Sequence, residues 1–266
     1  MISGIPPSEF KEAEIKKLVE DMLKRKTLFA KPLEYIAGRG AMWMPYYRIR
    51  MEYWRSGKEP RGKTGERLLA ETALNAMFCG RVSSENELLM IFRPNYLRHE
   101  AVSIAPAGDE VVGPASGVDF QRVLAGLVKK LNEVQDELVG LRSTLSKNYV
   151  RKRRFSMLLP MVSLREEKEL SEKIAKLDAL RNTISMCLNI HDGVGAIAVL
   201  DDATFYYPTS VFLLKNRESE TLRFVIVNRV KAGAILLRPS CDVLLTRLCS
   251  SNDECGKLVA AAVASS

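Results

Sequence analysis

Only two histidines, His99 and His191, occur in the 266 residues, and neither lies in a nucleophile motif. A Ser-His-Asp or Cys-His constellation would have to recruit one of them, so hydrolytic chemistry of that kind has little to build on. His191-Asp192-Gly193 has instead the composition of a helix-terminal turn. Long apolar runs are missing too. The longest candidate, Val194 to Leu200, falls far short of the roughly 18 residues of a membrane-crossing helix and fits a buried strand. The first residues show a charged amphipathic pattern (Phe10, Ile15, Leu18, Val19, Met22) and not the apolar stretch and cleavage site of a secretory leader. No Cys-x-x-Cys occurs, and Cys241, Cys249 and Cys255 are too widely spaced for a zinc knuckle, which argues against a structural metal. The five cysteines are an odd set without tight pairs, expected as unpaired thiols in a reducing compartment, the cytoplasm. Aromatic residues, at 7%, supply no base-stacking sheet or cofactor box, and Trp43 and Trp54 read as packing residues.

A local shortage is more telling. No acidic residue occurs between Glu137 and Glu166, while Arg142, Lys147, Arg151, Lys152, Arg153, Arg154 and Arg165 place seven positive charges there. Most of the net charge of +8 is therefore concentrated in one segment, which permits attraction to nucleic acid, anionic lipid or an acidic partner. The rest of the composition, 47% hydrophobic and 27% charged, is that of an ordinary globular chain able to bury a core without disulfides.

Pro6, Pro7 and Ser8 can open a helix running to about Lys26. From Tyr47 to Trp54, Ile49, Met51 and Tyr53 alternate with Arg48, Arg50 and Glu52, the period of a half-buried strand. Arg67 to Cys79 suits either a strand or a helix, Leu88 to Phe92 reads as a short buried strand, and residues 105–117, rich in Pro, Gly, Ala and Ser, read as a linker. Beyond it, Leu124, Leu127, Leu131, Val134, Leu138, Leu141 and Leu145 recur at steps of three and four, the seam of a heptad repeat. A second series, Leu170, Ile174, Leu177, Ile184 and Leu188, comes after the Ser163–Glu166 capping box and is interrupted by Arg181. Two long apolar-striped helices joined by about fifteen residues fold back most economically as an antiparallel hairpin. The last third returns to strands at Ala196 to Leu200, Val211 to Leu214 and Leu222 to Val227, the latter two joined by a polar turn. Aromatic-flanked Pro45 and Pro208, succeeded later by Phe92-Arg93-Pro94 and Leu237-Arg238-Pro239, raise the idea of a duplication around the helices.

Gly57-Lys58-Glu59-Pro60-Arg61-Gly62-Lys63-Thr64 satisfies the G-x-x-x-x-G-K-T spacing of a phosphate-binding loop. There Gly57 and Gly62 would let backbone N–H groups wrap the phosphates, Lys63 would reach the outer ones and Thr64 would hold Mg²⁺. Ala196 to Leu200 followed by Asp201 has the form of a strand delivering a carboxylate to that metal. On these fifteen residues the chain resembles a P-loop NTPase with a helical insertion, which implies ATP or GTP with Mg as cofactor. The strand that feeds such a loop is central, parallel and continuously apolar. Here Arg48, Arg50 and Glu52 alternate through it, and the loop's four charged residues with Pro60 fit a solvated hairpin turn equally well.

The second candidate is Tyr149-Val150-Arg151-Lys152-Arg153-Arg154-Phe155, followed by the apolar Met157 to Val162, at the expected tip of the helical hairpin. Its cations could neutralise phosphates while Tyr149 and Phe155 stack on bases. The same composition suits an anionic membrane or a partner groove, or a solvated basic turn.

The sequence thus predicts an α+β protein: small mixed lobes with β-hairpins flanking an antiparallel coiled-coil hairpin. The lobes are expected at 1–104 and 191–266, able to close into one discontinuous domain, with the hairpin at 118–190. No family is recognised over the length of the chain. The function expected is a non-enzymatic binding or assembly module without cofactor. It would engage another protein or nucleic acid through Tyr149, Arg151, Lys152, Arg153, Arg154 and Phe155, with self-association through the helical seam as a further expectation.

Overall fold

The computed structural model describes residues 1–7, 12–25, 33–55, 67–82, 84–154, 162–190, 194–230, 240–250 and 253–264. In chain order the elements are β1 (Ile2–Gly4), α1 (Glu12–Arg25), β2 (Glu34–Arg55), β3 (Arg67–Asn75), α2 (Glu85–Ile91), a 3₁₀ helix (Pro94–Arg98), β4 (Val102–Ile104) and β5 (Val111–Val112). They continue with α3 (Phe120–Arg154), α4 (Val162–Leu188), β6 (Val194–Asn216), β7 (Leu222–Asn228), β8 (Ser240–Cys241), α5 (Val243–Ser250) and α6 (Asp253–Ala264). Six helices and a mixed eight-stranded sheet among the described residues make the fold α+β.

The sheet is organised by two long strands. Its main order is β3-β2-β6-β1-β4, with β5 on β2 and β7 joining β6 to β8. The middle of β2, Met42 to Tyr47, carries no charge and is buried throughout, whereas half-buried and exposed residues alternate before it and more and less buried ones after it. Thr209 Oγ1 of β6 donates to the Met42 carbonyl (2.8 Å) and Arg50 Nη1 reaches Asp201 (3.4 Å), so the two strands run antiparallel. Pro45 and Pro208 have no N–H to give, yet their carbonyls accept from Ala76 and Arg229. The order α1-β2-β3-α2 has a counterpart in α4-β6-β7-β8-α5, with strands of 22 and 23 residues after the first helix and the two-residue β8 as an addition in the second.

The chain divides into two units. The first comprises Met1–Ile49, Ala73–Val118 and Asp202–Ser266. In it Ile15, Val19 and Leu23, spaced at four, bury one face of α1 against Phe212 and Leu214 of β6 and Val225 and Val227 of β7. The β6–β7 hairpin runs in register from Thr209↔Asn228 to Lys215↔Leu222. Asn216 Oδ1 accepts from the N–H groups of Glu218 and Ser219 to close its turn.

Three expectations need correction in this unit. Leu88 to Phe92 is not a strand but lies largely in α2, whose Ser84–Glu87 capping box satisfies two N-terminal backbone donors. Residues 105–117 are not a bare linker: β5 pairs in parallel with Met42 and Trp43, and Tyr47 Oη donates to the Ser116 carbonyl at 2.6 Å. Cys249 and Cys255 form a disulfide between α5 and α6, while Cys79, Cys187 and Cys241 are outside any disulfide. The expectation of five thiols therefore fails for this pair.

The second unit comprises Arg50–Thr72 and Asp119–Asp201, the helices together with strand segments that the sequence assigned to the lobes. Arg67–Asn75, readable either way in sequence, is strand β3. Helices α3 and α4 pack side by side, tied by Lys173 to Glu137 (2.7 Å) and by Arg142 to Asp178 (2.6 Å). Leu124, Leu127, Leu131, Val134 and Leu138 of the seam are fully buried, as are Ile184 and Leu188. Leu141, Leu145, Leu170, Ile174 and Leu177, farther along the pair, are only half-buried. Arg181, the interruption in the second seam, turns to Asp178 at 3.5 Å.

Candidate functional site

The acid-free basic segment continues α3 as far as Arg154. The helix runs unbroken to Arg154, so Tyr149, Arg151, Lys152, Arg153 and Arg154 stand on its last turns; Phe155 lies outside the described residues. Arg151, Lys152, Arg153 and Arg154 are the last four residues of α3. They also lie where the helix dipole favours positive charge. Nearer the base, Arg142 is held by Asp178 of α4, and across the connection Arg165 pairs with Glu169 at 3.0 Å one turn on. Lys147 is exposed.

Gly57, Gly62, Lys63 and Thr64 lie outside the described residues. Downstream of Thr64 the chain enters strand β3 at Arg67, where the phosphate-loop fold has the helix whose N-terminal N–H groups hold the phosphates. Asp201 is on β6, with 58% of its side chain exposed. Its carboxylate faces Arg50, which is also 3.2 Å from Glu71 of β3. Asp201 thus belongs to a carboxylate–guanidinium–carboxylate row across three strands.

The most connected polar site was not visible in the sequence. In the first unit, Arg93 Nη2 lies 3.5 Å from Asp242, and Arg93 Nη1 donates to the carbonyls of Phe92 (2.7 Å) and Met90. Tyr96 Oη donates to Asp242 at 3.0 Å, and Asp242 Oδ1 accepts the Leu245 N–H at the start of α5. Tyr96 stacks on Tyr207 with ring centroids 3.9 Å apart and planes 6° from parallel, and Tyr46 meets both edge-on. Burial pushes the Tyr46 phenol up to about 12 despite the Arg93 cation, and burial likewise raises Tyr96 and Tyr207. Asn75 and Tyr96 lie near enough to favour ionisation of Tyr46, yet among the described residues its hydroxyl has no partner in hydrogen-bond geometry. Burial works against the charge on Arg93, but the Asp242 carboxylate beside it helps to keep the guanidinium ionised.

Such phenols are neutral near pH 7 and cannot act as bases, and the one cation is matched by one carboxylate. The network therefore fixes the 3₁₀ helix, β2, β6 and α5 to one another. His99 touches its edge, 6.0 Å from the Tyr207 ring, and burial together with Arg98 lowers its pKa. The sequence signal was faint: Arg93-Pro94 marked an element boundary, but nothing local announces that a charged side chain turns inward there.

Among the described residues no group of three or more His, Cys, Asp or Glu side chains is placed to hold a metal. No family model, curated protein or solved structure matches the chain.

Proposed function

We propose that the protein is a non-enzymatic binding module that offers the end of its α3–α4 pair to nucleic acid. The observation that carries this reading is the continuation of α3 through Arg154 within a stretch, residues 138–165, that has seven basic residues and no acidic one. A polyanion gains from such a site by releasing condensed counterions, without any requirement for sequence. Tyr149 and Phe155 add rings on which exposed bases stack, so single strands are the preferred form. A coiled-coil seam, with the half-buried Leu141, Leu145, Ile174 and Leu177 completed by a second copy, is the finer form of the same proposal. No helix among the described residues is long and apolar enough to cross a membrane, and a cytoplasmic location accompanies this reading.

Fluorescence anisotropy with a labelled single-stranded 20-mer at several salt concentrations tests it. Neutralising four phosphates gives a slope of log K against log salt of about −3, and changing Arg151, Lys152, Arg153 and Arg154 together to Ser removes most of it. Absence of binding at low salt, or a slope untouched by the fourfold change, overturns the proposal. Equal or stronger binding to anionic vesicles would instead assign the same charges to a membrane surface.

A further inference from the structure

Strand β3 ends the sheet, and among the described residues its strand neighbour is β2, on one side. On the other side Leu74 bridges Phe92, with the Arg93 N–H donating to the Ala73 carbonyl. Arg67 to Thr72 continue beyond that bridge as an edge of the sheet. Sheet edges recruit further strands, and proteins guard them with proline, bulges or charge at the centre. β3 holds no proline, and the middle of this stretch is Leu69, 66% exposed.

The order of residues decides what fits there. Alternate residues of an antiparallel strand direct both backbone groups to one side. Ala73 points to Arg93, away from β2, so Glu71, Leu69 and Arg67, at steps of two, direct theirs outward as well. Their side chains also share one face of the sheet. A second β3, antiparallel and centred on Leu69, therefore meets its own complement: Leu69 faces Leu69, and Arg67 faces Glu71 on both sides of the twofold axis. Each pair exchanges two N–H···O=C bonds, about six in total. A register shifted by two residues either way sets a charge against Leu69 instead.

The charges within one chain extend the same pattern. Asp201, Arg50 and Glu71 alternate in sign across three strands, with Arg50 3.4 Å from Asp201 and 3.2 Å from Glu71. Arg67 of a second copy becomes the next member of that row, beside Glu71, while keeping its own Glu52 at 3.9 Å. Pairing adds to these contacts and breaks none of them.

We propose that β3 joins two copies of the chain edge to edge, antiparallel about Leu69, so that the sheet continues across the twofold axis. This surface uses none of the residues of the basic helix end or of the α3–α4 seam.

Sedimentation velocity of the full chain tests it, with thermal unfolding as the check that each variant folds. Wild type is expected to dimerise with a Kd of about 100 µM or tighter. Arg67→Glu sets Glu against Glu and Glu71→Arg sets Arg against Arg, so each alone should self-associate about tenfold more weakly. Mixed together, the two variants place opposite charges at both outer pairs, and their heterodimer should regain the wild-type affinity. Leu69→Pro, which removes an N–H directed outward and not toward β2, should weaken association about tenfold as well. The proposal is overturned if wild type stays monomeric to about 300 µM, or if the mixed charge variants associate no better than either alone. It is equally overturned if Leu145→Lys abolishes the dimer while Arg67→Glu leaves it intact, a result that would assign association to the helical seam.

Discussion

Arg93 and Asp242 stand 3.5 Å apart with 10% and 7% of their side chains exposed, although 149 residues separate them in the chain. Removing one member of a pair so deeply withdrawn from water leaves an uncompensated charge, a loss of about 3–5 kcal/mol. Asp242→Ala also removes the acceptor of Tyr96 and the cap of α5, so the upper end of that range is expected in urea unfolding. Asp242→Asn keeps an acceptor for Tyr96 and should retain part of the loss. A change below about 1 kcal/mol for the alanine variant would show that the pair does not hold this core together.

Glu110 predicts a pH dependence. Burial alone would raise its pKa, but donors from Trp43 (2.8 Å), the Ala107 N–H (3.0 Å) and Arg229 (3.0 Å) outweigh that and hold it below the ordinary carboxylate range. A folded-state pKa below the unfolded one gives stability that is present above the unfolded value, about 4.3, and lost as pH falls through the folded value. Glu110→Gln should therefore be less stable than wild type at pH 7, with the difference shrinking below about pH 4.3. Urea midpoints of both proteins from pH 7 down to 3 measure it; a constant difference would contradict the assignment.

These two groups also mark where the sequence stopped being readable. The α3 seam and the alternation in β2 repeat over many residues, so period alone identifies them, while the β6–β7 hairpin is marked by two strand-like runs joined by a polar turn. The run Leu88 to Phe92 is too short and too uniformly apolar for its period to decide, and only the Ser84–Glu87 cap distinguished helix from strand. β5 has two residues, and its pairing with Met42 and Trp43 is set by tertiary position. The Cys249–Cys255 disulfide depends on how α5 meets α6, and the Arg93–Asp242 pair on contacts across most of the chain. Of the sites, the basic segment was legible as charge, but its continuation as helix to Arg154 was not.

Gly40 predicts a packing defect. A Cβ at Gly40 of β2 would land on the Ala262 carbonyl of α6, backbone against backbone, whereas one at Gly38 would meet the Val263 side chain. Backbone cannot yield as a side chain can. Gly40→Ala should therefore cost about 1–3 kcal/mol and raise hydrogen exchange across α6, with Gly38→Ala the milder change. Equal effects at the two positions would mean that α6 shifts freely on β2.

Lys63 supplies the remaining discrimination. If the Gly57–Thr64 loop bound nucleotide, millimolar Mg-ATP at a hundredfold excess over Kd would stabilise the native state by about 2.7 kcal/mol, or roughly 5 °C or more in Tm. Strand β3 begins three residues after Thr64, where that chemistry has a helix, and the carboxylate of Asp201 faces Arg50. The expected result is no shift in wild type or in Lys63→Ala. A shift in wild type that Lys63→Ala abolishes would overturn this reading and place nucleotide binding ahead of the basic helix end, because no feature among the described residues accounts for a lysine-dependent response to ATP.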